Sequence, residues 1–146
     1  MKRLIACMAV ALFAVACNDD GGGTPTDPSQ VNVEFSFSDL TVGTGAEAGP
    51  GSHVIMLYEL WLYNPAGTAS KGTRIEGSTD AGNGPYPFTI AAGNVIPGVD
   101  QGVRGMRQGG KRRIYMPPSM AYGSQGQPRI PPNASLVFEI ELTSVQ

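Results

Sequence analysis

Residues 53–64 read HVIMLYELWLYN, and no other stretch restricts the fold as much. Alternate positions divide into Val54, Met56, Tyr58, Leu60 and Leu62 on one side and Ile55, Leu57, Glu59, Trp61 and Tyr63 on the other, and both sets are mainly apolar. Successive side chains of a strand point to opposite faces, and branched and aromatic residues favour strands. A strand that is apolar on both faces belongs in the middle of a sheet, so this segment predicts the central strand.

Shorter alternating runs flank it, separated by turn signals as in an antiparallel sheet. VNVEFSFSDL (31–40) sets Val31, Val33, Phe35 and Phe37 against polar neighbours, and PFTIAAG (87–93) and KRRIYMPP (111–118) add two short strands. ASLVFEIELTSV (134–145) points Leu136, Phe138, Ile140 and Leu142 inward and Glu139 and Glu141 outward. TVGTGAEAGPGS (41–52) is a Gly-rich turn, and residues 64–86 read as a long irregular region. His53 reads as the first residue of its strand. One helix is predicted at residues 97–106, where Val99, Val103 and Met106 recur at helical spacing behind Pro97. Gly102 and Gly105 each cost it about 1 kcal/mol relative to alanine, so it forms only if packed against the sheet. With 20 glycines, 12 prolines and 41% hydrophobic residues, the 146-residue chain suits one turn-rich domain with its own core.

The N-terminus has a different character. MKRLIACMAVALFAVAC opens with two cations and an apolar run of about twelve residues, too short for a comfortable membrane span and typical of an export signal. AVAC at 14–17 resembles the lipobox of bacterial lipoproteins, which makes residues 1–16 the signal peptide and Cys17 the lipidated mature N-terminus. Ala14 stands where that pattern prefers leucine, while LIAC at 4–7 fits better but has too little apolar sequence ahead of it. Ordinary secretion, or a free Cys17 thiol, is the alternative. Cleavage removes Lys2, Arg3 and Cys7, takes the net charge from −2 to −4 and leaves no cysteine pair, so no disulfide supports the domain. NDDGGGTPTDPSQ (18–30) reads with Cys17 as a flexible linker reaching roughly 20 Å. The folded domain then spans 31–146, in the cell envelope, lipid-anchored to a membrane and facing the periplasm or the exterior.

A near-neutral charge balance argues against nucleic acid as a partner. The one basic concentration, Arg104, Arg107, Lys111, Arg112 and Arg113, has a structural reading in which Lys111 and Arg113 oppose Glu139 and Glu141 across strands. A single histidine argues against a metal cluster or a Ser-His-Asp set, and no cofactor motif is present. The remaining feature is PPSMAYGSQGQPRIPP (117–132), whose five prolines and two glycines exclude a helix or a central strand. Tyr122, an aromatic residue in this loop, has no strand periodicity to explain it.

The motifs VGTGAEAGPG, VIMLYELWLYN, VIPGVDQGVRGMRQGGKRRIYMPPSMAYG and IPPNASLVFEIEL follow the order and nearly the intervals of one family. Over residues 39–142 the chain resembles the FKBP-type peptidyl-prolyl cis-trans isomerases. The resemblance implies an α+β fold, a five-stranded antiparallel half-barrel wrapped round one short helix, that acts as a monomer on proline-containing polypeptides. It implies a prolyl pocket with Tyr58, Glu76, Tyr122 and Phe138 in catalytic roles and Ile75, Phe88, Val95, Ile96, Val99 and Ile130 binding substrate. The Tyr122 hydroxyl and the Ile96 N–H are each expected to hold a peptide carbonyl, and macrolide inhibitors are a further ligand class. The chain departs from the family at Val99, where tryptophan is usual, at Glu76 for aspartate, at Ile75 for phenylalanine and at Gln127 for histidine. Its last loop is also one residue shorter between Pro128 and Pro131. A non-catalytic chaperone or peptide-binding module is the alternative, and a purely structural envelope lipoprotein a third reading.

Overall fold

The computed structural model describes residues 27–146; the signal segment, the Cys17 lipidation site and residues 18–26 of the linker lie outside the described residues. Six strands form one antiparallel sheet: β1 (Ser36–Thr41), β2 (His53–Tyr63), β3 (Lys71–Gly77), β4 (Tyr86–Thr89), β5 (Lys111–Met116) and β6 (Leu136–Val145). The hydrogen-bonded order is β1-β5-β6-β2-β3, with β4 pairing to β2 off that path. The one α-helix among the described residues, α1 (Pro97–Gly102), lies against the inner face.

As its composition predicts, β2 is central. One edge pairs with β6 from Val54 to Leu62, while the other is shared between β4, opposite residues 53–56, and β3, opposite residues 59–63. The two part-length partners leave a gap at Tyr58. Ser78 closes it, its N–H donating to the Tyr58 carbonyl (2.8 Å) and its hydroxyl accepting from the Tyr58 N–H (2.9 Å).

The inner face of the sheet and the helix bury a common core. Val54, Leu60, Ile114, Leu136, Ile140 and Leu142 come from the strands, and Val99, Val103 and Met106 from α1 and the turn after it. A six-residue helix is far too short to persist alone in water, and each of its buried apolar side chains contributes roughly 1.5–3 kcal/mol towards holding it. Its glycines differ from the expectation that they only weaken it. Gly105 has φ +74° and lies beyond the helix, where it turns the chain away. Gly102 faces β5, and a Cβ there would collide with Ile114, so glycine is what permits the close contact.

Three local expectations are corrected. The segment read as irregular contains β3, an edge strand whose only large apolar residue is Ile75, so it carries no alternation to detect. β1 starts at Ser36, not at Val31, and all its residues are exposed; Phe37 points beyond the core and takes the Arg112 guanidinium on its ring at 4.1 Å. Residues 27–30, assigned by composition to the linker, are part of the domain. Pro28–Gln30 form a 3₁₀ turn capped by the Asp27 carboxylate, Ser29 is fully buried, and its carbonyl accepts from the Ser135 N–H at 2.7 Å.

The basic concentration is divided among the turn after α1, the loop that follows and β5, each cation with an acidic partner. Arg104 pairs with Asp100 and Arg107 with Glu47, while Arg113, and at 4.0 Å Lys111, approach Glu139. Arg112, 5% exposed, binds Asp39 of β1 and donates to the Gly102 and Arg104 carbonyls, tying the end of the helix to the edge strand.

Candidate functional site

Between the inner face and the start of α1 lies a half-open cavity of about 230 Å³. Its lining includes seven of the ten residues singled out by resemblance: Tyr58, Glu76, Val95, Ile96, Val99, Tyr122 and Phe138. They come from β2, β3, the N-terminal end of the helix, the loop after β5, and β6.

Period two explains the wall formed by the central strands, since Tyr58 and Phe138 share the inner face with Leu60 and Ile140 and their rings lie 6.1 Å apart. Glu76 needs a different device. Leu60 pairs with Glu76 but Trp61 pairs with Arg74, so Ile75 is the extra residue of a β-bulge. The bulge lets neighbouring residues both turn inward, Ile75 into the core and Glu76 into the cavity. There the Glu76 carboxylate accepts from the Tyr58 hydroxyl at 3.1 Å. Burial, then this bond and the charge behind it, push the Tyr58 phenol up to about 12, so it stays a neutral donor.

Tyr122 is held by the loop itself. A 3₁₀ turn at Pro118–Met120 precedes it, the Gly126 N–H donates to its carbonyl (3.2 Å), and Gly123 bonds back to Pro118 and on to Asn133. The shortened half is a tight turn in which Gln127 and Ile130 exchange both backbone hydrogen bonds. Pro128 precedes Arg129 at φ +72°, the arrangement of a type II turn. Gly126 is required beside it, because a Cβ there would meet the Ile130 carbonyl. Burial is the first cause that raises the Tyr122 phenol, with Glu76 and Tyr86 adding to it.

Ile75, Phe88 and Ile130 do not line the cavity; they are buried behind it at 4%, 2% and 6% exposure. Ile130 anchors the loop in the core, and Phe88 pairs with Val54 at the deep end of β4. The residues missed are Met56, Tyr86 and Asn94. Met56 stands two positions before Tyr58 on the same face, so the alternation already contained it. Tyr86 pairs with Met56, two residues before Phe88 on the same face of β4, and only the strand register distinguishes the two aromatics. Asn94 is next to Val95 and had no signal of its own.

Val99 forms the floor, 2% exposed and without a ring to reach up into the space. Several donors on the walls have no acceptor among the described residues, among them the backbone N–H of Ile96 and the hydroxyl of Tyr122 on opposing elements, with the Tyr86 hydroxyl and the Asn94 amide at the rim. An apolar, partly enclosed cavity with unpartnered donors on opposing elements suits an extended peptide, whose carbonyls lack partners until bound.

A fold and site of this kind define a peptide-binding half-barrel, and comparison with known proteins identifies its class. Residues 45–143 match the family described as FKBP-type peptidyl-prolyl cis-trans isomerase. The FK506-binding protein 2 of Dictyostelium discoideum is 34% identical over 144 residues, 98% of each chain. The chloroplastic peptidyl-prolyl cis-trans isomerase FKBP16-4 of Arabidopsis thaliana is 41% identical over 116 residues, 77% of this chain but 48% of that one, so the match spans about half of that relative. The crystal structure of AtFKBP13 superposes with a TM-score of 0.65 at 33% identity, over 77% of this chain and 93% of that one. The chain belongs to the FKBP-type peptidyl-prolyl cis-trans isomerases.

Proposed function

We propose that this protein accelerates rotation about X-Pro bonds in exported or envelope polypeptides, using the cavity between β2, β6 and α1 as the prolyl site. The observation that carries this is the placement of two unpartnered donors, Ile96 N–H and Tyr122 O–H, on opposing elements beside an apolar space lined by Tyr58, Val99 and Phe138. Rotating the bond breaks amide resonance against a barrier of about 18–20 kcal/mol, and no covalent bond is made or broken. No nucleophile, acid or base is therefore needed. The twisted amide is less dipolar than the planar one, so a site that strips water from it favours the transition state. Tyr122 and Ile96 hold carbonyls of the peptide, and fixed donors of this kind need no reorganisation during the rotation. Glu76 keeps the Tyr58 hydroxyl oriented, and Phe138 packs against the proline ring.

Lipidation of Cys17 would hold the domain at a membrane surface in the cell envelope, where clients emerge unfolded. The mature protein acts as a monomer. Macrolides that imitate a prolyl peptide are a second ligand class for the cavity, weakened by the missing ring at Val99. That same residue favours a second reading, a non-catalytic module that binds prolyl segments without accelerating them.

A protease-coupled assay of X-Pro peptides separates the two: the isomerase reading expects acceleration over the spontaneous rate that falls in Tyr122→Phe, and wild type with no acceleration would overturn it. Mass spectrometry of the membrane fraction tests the anchor, with diacylglycerol expected on Cys17; an unmodified Cys17 in soluble protein would remove it.

A further inference from the structure

A second groove, about 300 Å³, opens beside the helix. Its lining is apolar at Ala91, Gly93, Val95 and Pro97 and polar at Asp100 and Gln101 of α1 and at Arg104 in the turn after it. Val95 lines this groove and the prolyl cavity alike, so the two are separated by little more than one side chain.

The groove's two charged residues pair with each other, but they are not equally presented. Asp100 has both carboxylate oxygens in use: Oδ1 accepts from the Ala91 N–H at 2.7 Å, and Oδ2 accepts from Arg104. The first bond ties Ala91, in its left-handed conformation, to the helix. Arg104 spends one nitrogen on Asp100, and its other two have no acceptor among the described residues. Its side chain is 42% exposed, against 13% for Asp100, so an incoming group meets guanidinium donors and not the carboxylate.

We propose that a client chain whose proline occupies the cavity continues across Val95 into this groove, where Arg104 selects an acidic residue flanking the proline. The proposal rests on the cavity being the prolyl site. It names a class of client: segments with a carboxylate near, but not adjoining, the isomerised bond. The apolar lining takes the intervening residue, and the guanidinium can hold the carboxylate without giving up Asp100, because only one of its three nitrogens is engaged there and the side chain is 42% exposed.

Exchange measurements by NMR on X-Pro peptides test this, comparing a blocked tetrapeptide with longer peptides that carry Glu, Gln or Lys at successive positions on either side of the proline. At low salt, Glu should exceed Gln by about three- to fivefold in kcat/KM at one position, as for a partly exposed ion pair, and Lys should fall below Gln. Raising the salt should shrink the difference. Arg104→Gln should abolish the preference while leaving the tetrapeptide rate nearly unchanged. Gln101→Trp, which fills the groove from α1, should remove the gain from lengthening the peptide. Equal rates for Glu and Gln at every position, or a preference that survives Arg104→Gln, would overturn the proposal. If wild type accelerates not even the tetrapeptide, the isomerase reading fails, and titration of the same long peptides still decides the groove: tighter binding of Glu that is lost in Arg104→Gln supports it, and equal binding overturns it.

Discussion

The two faces of the sheet use the same strands for opposite purposes. On the inner face β2 and β6 contribute Met56, Tyr58 and Phe138 to a cavity in which Ile96 and Tyr122 keep donors without acceptors. On the outer face the two central carboxylates of the same strands are saturated. Glu139 accepts from Lys71 at 2.6 Å and from Arg113 at 2.7 Å, and Glu59 from Arg74 at 2.7 Å and Thr79 at 3.1 Å. Lys71 also covers the Trp61 ring at 3.9 Å, and Val137 beneath is fully buried. Groups that already have partners hold a structure together, whereas groups left waiting for a partner can bind one. The difference locates function on the inner face and mainly stability on the outer one.

Truncating the inner face at the aromatic shared by core and cavity should have the largest effect. Phe138→Ala removes a ring shared by the core and the cavity and should cost about 3–5 kcal/mol in urea unfolding, together with most of the isomerase activity. A loss of activity with stability intact would show that Phe138 belongs to the site and not to the core. Glu139→Gln is the outer-face counterpart and should cost about 1–3 kcal/mol, by leaving Lys71 and Arg113 without their shared negative charge. Here kcat/KM should hold, and a parallel fall would mean that the faces are not separable. Tyr122→Phe removes one donor and no volume, so kcat/KM should drop about three- to tenfold with stability nearly unchanged.

The response to pH should divide along the same line. Burial pulls the Glu139 carboxyl upward, but the hydrogen bonds from Lys71 and Arg113 outweigh it, and the group titrates below its ordinary range. Its contribution to stability is therefore present above the unfolded value and lost as pH falls through the lower folded one, and Glu139→Gln should flatten that acid limb of unfolding. Activity should be least affected. Tyr58 is pushed up to about 12 and Tyr122 is raised as well, so both phenols remain neutral and kcat/KM should stay level between about pH 6 and 9. A rise or fall within that window would point to another titrating group in the cavity.

Legibility followed the strength of local periodicity. β2, β5, β6 and the buried side of α1 could be read because burial repeats every two residues along a strand and at i, i+4 in the helix, and Tyr122 because it broke every such pattern. β3 could not, since an edge strand with a bulge has one neighbour, one buried branched residue and no alternation. The choice between Tyr86 and Phe88 was equally invisible, because both lie on one face of β4 and the register to Met56 decides which reaches the cavity.

By itself, then, the sequence determined a sheet with a doubly apolar central strand, a helix that exists only when packed, a loop that prolines keep from pairing, and the family to which these belong. The tertiary structure alone decided that residues 27–30 join the domain, that Ile75 and Glu76 both turn inward, and that Arg112 is buried while Arg104 faces a groove. These outcomes depend on pairing between residues far apart in the chain, through registers, a bulge and hydrogen bonds such as that from Ser135 to Ser29. Local pattern carries no record of such partners.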